Sequence, residues 1–97
     1  MGFKIIISPK AQLEIEEIAD YYFEVSFPVL IKFNEQLMET YNTLKSNPYF
    51  QKRCKGFHAI PLKQFPFILF FKIDEDKNIV KIISCLHTSR DSEKYPI

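Results

Sequence analysis

Ninety-seven residues with 46% hydrophobic and 26% charged side chains, two Gly and a net charge of +1 suit one globular domain; they exclude a disordered chain, a second domain and a nucleic-acid binder driven by bulk charge. No stretch approaches the roughly 20 apolar residues that span a bilayer, and no apolar leader region follows Met1, so a cytoplasmic protein without membrane contact is expected. Ten Phe and five Tyr are more aromatic surface than so small a core readily absorbs, a hint that part of it meets a partner.

Phe3, Ile5 and Ile7 alternate with Lys4, Ile6 and Ser8, the period-2 pattern of a short first strand. Ser8-Pro9 then signals a helix start, with Ser8 able to accept from the first helical amides and Pro9 suited to the first helical position. Ala11, Ile15, Ile18, Tyr22 and Val25 form one apolar stripe, and Glu14, Glu16, Glu17, Asp20 and Glu24 occupy other angles, which predicts an amphipathic, acidic helix. The chain turns at Ser26-Phe27-Pro28, and Leu30, Phe33, Leu37, Tyr41 and Leu44 continue at helical spacing to about Asn47-Pro48. Two striped helices joined so tightly imply an antiparallel hairpin whose apolar seam needs a sheet to cover it.

The second half supplies that sheet. Residues 57–63 read as a strand in which Pro61 indicates an edge or a bulge. Residues 65–73 are nearly all apolar, as expected of a central strand buried on both faces. An acidic turn over 74–78 leads into a strand over 79–87 rich in β-branched residues, and the polar tail after His87 is the least structured part. The expectation is an α+β fold of order β-α-α-β-β-β, a helical hairpin on an antiparallel sheet of three to four strands, in a single domain over 1–97. Charge is divided between the halves: residues 1–47 carry four Lys and seven acids, residues 48–97 nine Lys or Arg and five acids. The basic half is either ordinary solvated surface or a face for phosphate or an acidic protein segment.

The candidates for chemistry gather at the end of the last strand. His87 is either a proton-transfer group near neutral pH or a capping histidine. Arg90 suits a phosphate or a carboxylate, or else a structural pair with Asp91 or a backbone carbonyl. Lys63 and Lys81, on the strands flanking the central one, either form a basic cluster with Arg90 or are solvated. Tyr95 either stacks on a base, or donates a proton, or packs against the domain. Cys54 and Cys85 form no C-x-x-C and are expected as free thiols; Cys85 and His87 share a strand face, but two ligands make a poor zinc site. No metal or cofactor is expected, and no phosphate loop or hydrolase motif calls for a small-molecule substrate.

The element order, the run Phe65-Pro66-Phe67-Ile68-Leu69-Phe70-Phe71 after Lys63, and Leu86-His87-Thr88-Ser89-Arg90-Asp91 near the terminus together resemble the RelE/ParE superfamily of bacterial toxins, whose members are often labelled plasmid stabilisation proteins. The resemblance implies the toxin of a type II toxin-antitoxin system, inhibiting growth until an antitoxin wraps and neutralises it. ParE-like members block DNA gyrase; RelE-like members cleave mRNA on the ribosome. For a nuclease the resemblance carries over His87 as proton-transfer group, Arg90 and Lys63 as phosphate and transition-state contacts, and Tyr95 as base stacker or acid. The chain departs from the family pattern at Gln64, where many relatives have arginine, and at Ser92 and Tyr95-Pro96. With two arginines and a net charge near zero, it leans toward the gyrase branch, with an mRNA endonuclease as the alternative and a non-toxic binding module that keeps only the antitoxin contact as the third reading.

Overall fold

The computed structural model describes residues 2–49 and 56–89. The chain runs β1 (Lys4–Ile7), α1 (Pro9–Val25), α2 (Phe27–Ser46), β2 (His58–Pro61), β3 (Phe67–Asp74) and β4 (Ile79–His87). Both helices pack on one face of a four-stranded sheet of order β1-β4-β3-β2. The three later strands form the expected antiparallel meander, and β2, which ends on Pro61, is an edge strand. The sheet as a whole is mixed, because β1 adds to the free edge of β4 in parallel, Lys4 opposite Ile79 and Ile7 opposite Ile82. That pairing joins segments at opposite ends of the chain, and no local pattern encodes it.

Local chemistry accounts for the element boundaries. Ser8 caps α1, its hydroxyl accepting the Ala11 amide at 3.1 Å, and Pro9 opens the helix where a missing N–H costs nothing. α2 likewise has a proline in its first turn. β2 is shorter than the 57–63 expectation, and β3 begins at Phe67 rather than at residue 65. Pro66 has no amide to donate, and Gln64 adopts φ 67° in the loop between the two strands, a left-handed conformation that ends strand geometry. The turn after β3 reverses through Asn78 at φ 54°, a residue that tolerates this region, and the Lys77 amide donates to Asp74 Oδ1 at 3.2 Å.

The main core lies between the hairpin and the sheet. Phe33 of α2 is fully buried and sits amid Tyr22, Phe65 and Phe67, with ring centroids 5.6, 5.4 and 6.2 Å away; such pairs add about 0.5–1.5 kcal/mol beyond their buried area. Leu69, Phe71, Val80 and Ile82 face the same core, and Ala59, Phe70 and Leu86 are buried on the opposite face, so β3 is covered on both sides as its composition implies. One stripe residue departs: Val25, at the last position of α1, is 62% exposed, because the helix ends there before the sheet or α2 can cover it.

Candidate functional site

β4 changes phase midway along its length. Phe71 lies opposite Ile82 and Phe70 opposite Ser84, so Ile83 is an extra, unpaired residue forming a β-bulge. Before the bulge Val80 and Ile82 face the helices; after it Cys85 does, with His87 two residues on at the groove described below. Strict alternation from Ile82 would have turned Ser84 and Leu86 inward instead.

The bulge is also where β1 ends, so that residues 83–87 of β4 have no strand partner on that side among the described residues. Side chains of the α1 start take over. The Ser8 hydroxyl donates to the Ile83 carbonyl at 3.1 Å, Lys10 Nζ donates to Ser84 Oγ at 2.7 Å, and the Cys85 amide donates to Glu14 Oε1 at 3.1 Å. Lys10 also lies 3.6 Å from Glu14 Oε2. The start of α1 thus pairs the Ile83 carbonyl and the Cys85 amide of this edge, as buried backbone groups require, and holds the Ser84 hydroxyl as well.

Beyond Glu14 a groove of about 690 Å³ opens between α1 and the ends of β3 and β4. Its α1 wall carries Glu14, Glu17, Tyr21 and Tyr22, and its sheet wall Phe67 and His87. No Lys or Arg lines it among the described residues. His87 stands edge-on to Phe67, centroids 5.3 Å apart. Its Nδ1 accepts the Ser89 amide at 3.1 Å, with Ser89 Oγ 3.2 Å away, which puts the proton of the neutral ring on Nε2. The lone pair a general base would use is therefore already engaged. Cys85 at the groove floor is a free, buried thiol; burial first, and then the nearby Glu14 charge, push its pKa up to about 12, so it is no nucleophile near neutral pH. The same burial, with Cys85 adjacent, pushes the Tyr41 phenol up, and that hydroxyl has no hydrogen-bond partner among the described residues.

The remaining candidates are dispersed. Lys63 lies in the β2–β3 loop with its amine 3.6 Å from Glu39 Oε1 of α2, and Lys81 lies on the sheet face away from the helices, directly opposite Lys72. The two do not form the cluster that was one reading of their positions. Arg90, Asp91, Tyr95 and Cys54 lie outside the described residues, as do the departures at Ser92 and Pro96. Among the described residues no three His, Cys, Asp or Glu side chains converge as a metal site would need. Glu14, Glu17 and Tyr21 were not singled out for chemistry from the sequence; their spacing of three and four residues, which places them on one flank of α1 beside the buried stripe, is the signal that could have found them.

The comparisons agree with this architecture. The family described as the ParE toxin of the type II toxin-antitoxin system parDE matches over residues 5–92. Among solved structures, a chromosomal ParDE toxin-antitoxin system from P. aeruginosa superposes with a TM-score of 0.74 at 17% identity, covering 90% of this chain and 97% of that one. The isolated RelE toxin of E. coli gives 0.53 at 13% identity, covering 95% and 90%. A double arginine-to-alanine mutant of E. coli RelE in the free state gives 0.53 at 15%, covering 96% and 90%. No curated protein matches by sequence.

Proposed function

Because the chain belongs to the ParE toxin family of type II toxin-antitoxin systems, we propose that it inhibits growth by binding a protein target, DNA gyrase, in the cytoplasm, and that a cognate antitoxin holds it inactive. The observation that carries the choice of target is the electrostatics of the strand-end groove. Cleavage of a phosphodiester needs a base for the 2'-OH proton and positive charge beside the developing anion. Here two carboxylates line the approach, the imidazole lone pair accepts the Ser89 amide, and Lys63 is drawn toward Glu39. Among the described residues a phosphate backbone would meet Glu14 and Glu17 and no cation in the groove lining; a neutral or basic protein segment would meet no such repulsion.

Two assays test the proposal together: supercoiling by purified gyrase with the protein added, and primer extension on mRNA after induction without antitoxin. Inhibited supercoiling with no codon-phased cuts is expected. Codon-phased cuts abolished by His87→Ala and Arg90→Ala would instead assign ribosome-dependent cleavage, with Lys63 and Tyr95 in supporting roles. Undisturbed growth on uncomplemented expression in the native host would leave only the non-toxic binding module.

A further inference from the structure

The helical hairpin has a second apolar row that the fold does not use. Phe27, Ile31 and Met38 of α2 are 56, 46 and 56% exposed, and their spacing of four and seven residues sets them along one side of the helix, well away from the buried row of Phe33, Leu37, Tyr41 and Leu44. Phe23, at the end of α1, extends the row, its ring edge-on to Phe27 with centroids 6.3 Å apart and the side chain 62% exposed. Between Ile31 and Met38 a shallow groove of about 500 Å³ is flanked by Glu35 and Glu39. Single exposed apolar residues are ordinary; four on one side of the hairpin, interrupted between Ile31 and Met38 by the groove residues Asn34 and Glu35, mark an interaction surface.

Charge specifies the occupant. Residues 9–46 hold seven acids and three lysines, and one of those lysines, Lys10, is turned to Ser84 and Glu14 at the strand edge. Glu35 borders the groove and Glu24 follows Phe23 at the end of α1, both exposed, while Glu39 lies 3.6 Å from Lys63. Phe27 to Met38 spans eleven residues, about 16 Å or three helical turns, more than the ~10 Å over which a docked helix presents anchors at i, i+4 and i+7. A second copy would bring acid against acid, and an anionic lipid surface would be repelled likewise. We propose that this face of the hairpin docks a basic amphipathic helix of a partner protein, the apolar side of that helix seated on Phe27, Ile31 and Met38 and its cations meeting Glu24 and Glu35. The surface lies on the outer side of α2, and the toxic activity proposed above does not specify it.

The test uses two dye-labelled synthetic 18-residue helices with the same leucine face, one otherwise lysine-rich and one glutamate-rich, titrated with the full chain and followed by fluorescence anisotropy. The lysine peptide should bind at least tenfold more tightly than the glutamate peptide, and less tightly as salt rises. Ile31→Ser/Met38→Ser and, separately, Glu24→Lys/Glu35→Lys should each weaken the lysine peptide at least tenfold. Because all four side chains are exposed, the melting temperature should stay within a few degrees, which separates lost docking from lost folding. No binding, equal affinity for both peptides, or affinity unchanged in either variant overturns the proposal. So does concentration-dependent dimerisation removed by Ile31→Ser/Met38→Ser, which would assign the face to a second copy, or vesicle binding lost in the same variant, which would assign it to lipid.

Discussion

Replacing Glu14 with alanine should destabilise the protein through the backbone of a strand 71 positions away. The carboxylate accepts the Cys85 amide at the stretch of β4 that β1 does not reach, and its side chain is only 20% exposed. A hydrogen bond to a charged group contributes about 1.5–3 kcal/mol, and an orphaned buried donor costs a similar amount. The Lys10 partner is largely exposed, so that ion pair adds at most about 1 kcal/mol. Glu14→Ala should therefore cost about 2 kcal/mol, or about 10 °C in melting temperature for a domain of this size. Glu14→Gln keeps an acceptor oxygen and should cost about half as much, and Lys10→Ala less than about 1 kcal/mol. Urea unfolding followed by circular dichroism measures all three. The account is refuted if Glu14→Ala lies within about 0.5 kcal/mol of the parent, the range of ordinary surface substitutions, or if Gln is as costly as Ala.

Ionisation of Cys85 links stability to alkaline pH. Its thiol is raised from the ordinary value of 9 to about 12, so the folded state holds the proton where the unfolded state releases it. That contribution is complete below about pH 9 and is lost as pH rises toward 12, at up to about 1.4 kcal/mol per pH unit. Cys85→Ala should flatten the stability profile between pH 9 and 11; parallel profiles would contradict the buried thiol. Tyr41→Phe removes a buried hydroxyl that has no partner among the described residues and should be neutral or stabilising by up to about 1 kcal/mol, so a urea midpoint clearly below the parent would show that the hydroxyl is paired. At Gln64, with φ 67°, a left-handed backbone costs an ordinary residue about 1–2 kcal/mol, partly offset in glycine by its looser unfolded state. Gln64→Gly should gain about 0.5 kcal/mol and the β-branched Gln64→Val should lose about 1 or more; a valine variant as stable as the parent would rule out strain there.

What the sequence made legible was what neighbouring residues decide. Ser8-Pro9 marked the start of α1, the run from Ile79 to His87 marked β4, and Pro61 marked an edge or a bulge, of which the fold has the edge, because capping, β-branching and a missing amide all act within a few residues. Decisions made across the fold were not legible. The parallel pairing of β1 with β4, the unpaired Ile83 and the reach of Glu14 to Cys85 depend on partners far away in the chain. Val25 shows the opposite failure: it satisfies the helical period yet stays exposed, since periodicity states which side a residue takes but not where the covering layer stops. His87 was found by its residue type, while the carboxylates and tyrosines facing it came from a helix whose acidity reads simply as a solvated flank.

The bulge at Ile83 has an evolutionary consequence. It works as a phase shifter, letting the first half of β4 stay locked to the core while the second half chooses which side chains line the groove. A relative without the extra residue would present neighbouring positions to the same groove, so counting forward from the start of the strand pairs groove residues with residues on the far face of the sheet. Counting backward from the strand's end keeps them in step. Deleting Ile83 would straighten the strand and leave Cys85 and His87 on the groove side, whereas pairing Ile83 in regular alternation, with no substitution at all, would exchange His87 and Leu86 between the two faces and hand the groove a different chemistry.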